Sequence, residues 1–216
     1  MQWMSTGSGV VHAEGGATPR GQTHSGFQIW VNVPAKDKLK PPRYGTAKPE
    51  DIPQFDIGVN AQARVLAGEY PTTSNETAKG PFKTTQPVLI MDVELRDQAV
   101  VSLEIEDLYD SCMVYLYKGS GVIQQDRFEA KQVVRFGASA KNSRKITAIT
   151  QANECLHFLI FAGKKLLEPI FWHGPIVMNT REEVISTMND IQQRTFPPVK
   201  VPWNYKRSSE FPAEKL

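Results

Sequence analysis

Cysteine is scarce. Two occur in 216 residues, Cys112 and Cys155, too few for the disulfide framework of a small secreted domain. They read as reduced, small apolar residues of a cytosolic or nuclear protein. A surplus of one charge is missing too. The 25 Lys and Arg against 23 Asp and Glu leave a net charge of +2, which gives no basis for charge-driven binding to nucleic acid or to an anionic membrane. The basic stretch from Lys36 to Arg43 is short and offset by Asp37. No apolar run is long enough to span a bilayer. The first residues carry Gly and polar positions where a signal peptide needs an apolar core, which argues against export.

What is present points to β-structure. Fifteen Gly and fifteen Pro, spread along the chain, favour many turns and short strands. The stretch 27–33, FQIWVNV, alternates and predicts a strand with Phe27, Ile29, Val31 and Val33 on one face. Ala35 to Phe55 reads as an irregular crossing, 59–67 as a second strand, and Tyr70 to Pro87 as a linker. Six β-rich runs follow, at 88–95, 100–106, 113–119, 132–136, 146–150 and 156–163. Their close spacing predicts an antiparallel barrel or sandwich. Gly119-Ser120-Gly121 reads as a hairpin turn. One helix is signalled, from Arg181 to Arg194. Thr180 and Glu183 have the spacing of a capping box, and Val184, Ile185, Met188 and Ile191 share a face. The tail beyond Pro198 is polar, with Trp203, Tyr205 and Phe211 as candidate anchors.

The chemistry-bearing pair is His12 and Glu14. On a strand, positions i and i+2 share a side, so an imidazole and a carboxylate would be presented together. That donor set suits non-haem Fe(II). By spacing alone, a His-x-Glu pair is more often a solvated strand face. His24 reads as an exposed loop residue, His157 as a hydrogen-bonded strand residue, and His173 as a structural turn residue. Glu104 and Glu106 share a face without a catalytic partner and read as solvated surface. Ser5 and Ser8 have no Ser-His-Asp arrangement.

The blocks QWMSTGSGVVHAE, GFQIWVNVPAKDKLKPPRY, VLAGE and EPIFWHGPIVMNTREEV, in that order, resemble the pirins of the cupin superfamily. The resemblance runs from Gln2 to the end of the helix; between about 70 and 160 it rests mainly on the strand pattern. It implies an all-β double cupin, two antiparallel barrels and one C-terminal helix. The expected division is a partial N-terminal barrel over 1–68, a linker over 69–87, a C-terminal barrel without metal over 88–177, the helix over 178–196 and a tail over 197–216. Pirins hold one iron by three His and one Glu. The resemblance implies that His12 and Glu14 are two of these ligands, that Glu14 is the natural base, and that Gln28 lies close to the metal. The pair of His ligands that pirins carry upstream as H-x-H has no counterpart in these residues, so the N-terminal barrel is expected to be incomplete. The implied roles are a flavonol (quercetin) 2,3-dioxygenase with Fe(II), or a nuclear coregulator that meets a transcription factor and senses the redox state of iron. An inactive remnant is the third.

Overall fold

The structure, a computed structural model, describes residues 1–12, 25–74, 76–137 and 144–199. In chain order the strands are β1 (Gln2–Ser5), β2 (Arg43–Thr46), β3 (Gln54–Gly58), β4 (Ala61–Ala67), β5 (Glu69–Pro71), β6 (Thr77–Lys79), β7 (Val88–Arg96) and β8 (Val100–Ile105). They continue with β9 (Ser111–Ile123), β10 (Asp126–Glu129), β11 (Val133–Phe136), β12 (Arg144–Ile149), β13 (Cys155–Gly163), β14 (Phe171–His173) and β15 (Ile176–Met178). A single α-helix, α1 (Arg181–Gln192), follows. The chain divides into two compact units: Met1–Trp3 with Gly45–Lys165, and Met4–Tyr44 with Leu166–Leu216.

The first unit is a strongly curved antiparallel sheet in the order β3-β4-β7-β13-β9-β12-β8, with β10 and β11 also on β9. Its two ends approach at Gly58, where an added Cβ would lie 3.3 Å from the Val100 carbonyl oxygen. The sequence builds this by alternation. On β8, Val101, Leu103 and Ile105 are buried while Val100, Ser102 and Glu104 are exposed. β12 pairs Ile146 with Leu103 and Ala148 with Val101, so both strands turn their apolar side the same way. Phe158, Leu156 and Ile160 of β13 meet Met91 and Leu95 of β7 and Leu116 of β9 in one fully buried core. Each such side chain contributes roughly 1.5–3 kcal/mol by leaving water.

Three expectations are corrected. Residues 25–34 form no strand: no β-ladder takes them up, and the Val33 amide is bound at 2.9 Å by the Asn32 side chain instead. The stretch read as a linker carries the β5–β6 hairpin, closed by Thr72 N–H on the Glu76 carbonyl at 2.7 Å. Gly119-Ser120-Gly121 is no hairpin turn but lies inside β9. β13 pairs His157 with Lys118 and then Phe158 with Leu116, which leaves Tyr117 as the extra residue of a bulge. Gly119 has φ +76°, and a Cβ there would meet the Cys155 carbonyl oxygen at 1.8 Å, so the chain needs glycine to pass. The turn itself falls at Gln124-Gln125, between β9 and β10.

Candidate functional site

The G-x-G before His12 is a backbone device. Gly7 has φ +49°, and a Cβ on it would stand 2.1 Å from the Lys40 carbonyl oxygen. Ser8 N–H donates to that carbonyl at 2.8 Å and Gly9 N–H closes the turn on Thr6 at 2.8 Å. The turn delivers Val10–His12, which lie outside any strand rather than in the strand expected. His12 is exposed. Glu14 and His24 lie outside the described residues, as do Trp203, Tyr205 and Phe211 of the tail. Gln28 is exposed in the non-strand segment 25–34. Among the described residues no three His, Cys, Asp or Glu side chains come together as a group that could hold a metal.

The two distinctive blocks QIWVN and GPIVMNT meet for a structural reason. The Lys38 ammonium is buried, donating to Asn32 Oδ1 at 2.8 Å and to the Val177 carbonyl at 3.1 Å. Desolvation pulls its pKa below the usual lysine value, against Glu168 and Glu183, which raise it. Glu168 Oε2 accepts from Ala35 N–H at 2.8 Å and from Asn179 Nδ2 at 3.2 Å. Asn179 N–H in turn donates to Glu183 Oε2 at 3.0 Å. These residues lace the segment 32–38 to the start of α1. No spacing rule in the sequence announces such a network, because its members lie more than a hundred residues apart.

A polar band that sequence reading missed lies across β4, β7, β13 and β9. Arg64 pairs with Asp92, and Arg96 with Glu94. The Tyr117 hydroxyl donates to Asp92 Oδ1 at 2.7 Å. Desolvation, that hydrogen bond and the Asp92 charge push the Tyr117 phenol far above its ordinary value. His157 Nε2 stands 3.7 Å from Glu94 Oε1, and its ring meets Tyr117 edge-on at 5.7 Å. Burial lowers the His157 pKa, and Lys118 and Arg96 add to this, while Glu94 and Asp92 oppose it. The bulge at Tyr117 explains the cluster, since the extra residue re-aims its side chain onto Asp92. The signal available in sequence was Asp92-x-Glu94 within an otherwise apolar run. His157 lies on β13, as its setting in sequence predicts, with an ion-pair separation from Glu94 and a ring contact with Tyr117 where a hydrogen bond was expected.

Comparison with known proteins gives a consistent pattern. Residues 90–197 match the model of the pirin C-terminal cupin domain. A Thermoplasma acidophilum protein, provisionally named a quercetin 2,3-dioxygenase, is 30% identical over 209 residues, covering 91% of this chain and 78% of its own. A pirin-like protein of Caulobacter vibrioides is 31% identical over 196 residues, covering 91% and 67%. The crystal structure of a quercetin 2,3-dioxygenase from Acinetobacter baumannii superposes with a TM-score of 0.68 at 30% identity, over 77% of this chain and 55% of that one. The chain therefore spans little more than half the length of that solved relative.

Proposed function

This chain belongs to the pirin family of the cupin superfamily, and on that premise we propose that it supplies part of an iron-dependent flavonol 2,3-dioxygenase site. The observation that carries the reading is the match to the Thermoplasma relative along 91% of the chain. The donor chemistry of His12 and Glu14 fits the group. A neutral imidazole and a carboxylate suit a divalent iron and leave positions open for O₂ and for the hydroxyl and carbonyl oxygens of a flavonol. Iron bound there would supply Lewis-acid and redox chemistry.

The protein's own part is proton handling and orientation. Glu14 accepts the flavonol hydroxyl proton at a carboxylate oxygen, which favours the anionic substrate. The Gln28 amide, able both to donate and to accept, orients the ligand or substrate. Two protein ligands hold iron weakly, so the 216-residue chain alone is expected to turn quercetin over slowly and only with Fe(II) in excess. Quercetin absorbance and O₂ uptake, followed together, test this. His12→Ala and Glu14→Gln should each bring consumption down to the rate of Fe(II) without protein. Rates that neither substitution alters would remove these residues from the chemistry.

A further inference from the structure

Within the second unit, α1 and β14 enclose a groove of about 420 Å³. Arg181, Val184, Ile185, Met188 and Asn189 face it from the helix, at the i, i+3, i+4, i+7, i+8 spacing of one stripe. Phe171, Trp172 and His173 form the opposite wall. Trp172 is 70% exposed and Ile185 49%. Trp30, itself 54% exposed, packs on Trp172 with ring centroids 5.9 Å apart. So much contiguous aromatic and aliphatic surface marks a binding site. The volume falls in the range of small-molecule sites, about 300–1,000 Å³, and the lining has their usual form, apolar walls with a few polar groups.

Arg181 is, among the described residues, the one charged side chain besides the imidazole of His173 that lines the groove, whereas Glu182, Glu183 and Asp190 of the same helix do not line it. Glu183 is committed to the helix cap. Among the described residues the side chain of Arg181 makes no hydrogen bond or ion pair. A cation at one end of an apolar groove asks for an anion on an apolar body.

We propose that this groove binds a planar aromatic carboxylate. The ring lies against Trp172 and Phe171 over Ile185 and Met188, and the carboxylate meets the Arg181 guanidinium. The site uses none of His12, Glu14 and Gln28, so it stands or falls apart from the dioxygenase reading.

Calorimetric titration of the 216-residue chain with 2-naphthoate, and with its neutral counterpart 2-naphthalenemethanol, tests the proposal. One saturable site is expected, with the acid bound roughly tenfold more tightly than the alcohol. Arg181→Gln should abolish that preference while leaving the melting temperature unchanged. Trp172→Ala should weaken both ligands. Equal affinity for acid and alcohol, a preference that survives Arg181→Gln, or no saturable binding would each overturn it. So would a concentration-dependent dimer broken by Ile185→Glu, which would give this face to a second copy of the chain.

Discussion

His157 joins a buried edge to a charged surroundings, and its protonation should be felt in stability. Its pKa is held below the ordinary 6.5, first by desolvation, with Lys118 and Arg96 adding and Glu94 and Asp92 opposing. A group that binds its proton less readily when folded contributes stability that is fully present above pH 6.5. That stability is lost as pH falls through the lowered folded value. Chemical denaturation at a series of pH values should therefore show a loss on acidification from about 6.5 downward. His157→Gln should flatten that part of the curve. An identical slope in the variant would mean that other groups carry it. The sequence placed His157 correctly on a strand, yet its neighbours Glu94 and Tyr117 were not readable. Glu94 is directly opposite on β7 only because of the register, and Tyr117 arrives through the bulge on β9. Both depend on pairing between distant strands, which local pattern does not encode.

Elements whose cause is local were readable. The six β-rich runs of 88–163 appear as β7, β8, β9, β11, β12 and β13, because β-rich runs bounded by turn residues need no distant information. The helix begins where the capping box puts it. Glu183 N–H donates to Thr180 Oγ1 at 3.2 Å, and Thr180 N–H donates to Glu183 Oε2 at 2.9 Å. Thr180→Ala should cost roughly 0.5–2 kcal/mol, read as a lower denaturation midpoint with an unchanged slope. No shift would mean that Glu183, which also binds the Asn179 amide, holds the helix start by itself. The stretch 25–34 went the other way. FQIWVNV has the period of a strand, but a strand also needs a neighbour to complete its ladder. Asn32 is instead taken up by Lys38, and Trp30 by Trp172. Conversely, β3 and the β5–β6 hairpin were hidden in Pro-rich sequence, where turn residues mask strands this short.

On the scale of the whole molecule, the strand pattern predicts an antiparallel all-β fold and the capping box its one C-terminal helix, the resemblance makes the fold a cupin, and both stand in the structure. Both cysteines are free thiols, Cys112 buried and Cys155 partly so. The extent of each unit could not be foreseen, since β3 and β4 join the sheet through β4 on β7 across some twenty residues of intervening turn and hairpin. The candidate site was readable as chemistry only in His12 and Glu14, a donor pair; Gln28 entered through the resemblance alone. The rival centre offered by the fold is the Asp92–Glu94–His157 band, where each carboxylate is already paired with an arginine. The most direct discrimination is paramagnetic relaxation in the isotopically labelled 216-residue chain, titrated with Mn(II). It reports even weak binding, residue by residue. The account predicts that amide signals from about Val10 to Glu14 broaden first, with Gln28 next, and that the His12→Ala, Glu14→Gln double variant loses the effect. Broadening centred on Asp92, Glu94 and His157, or broadening near residue 12 that persists in the double variant, would contradict it.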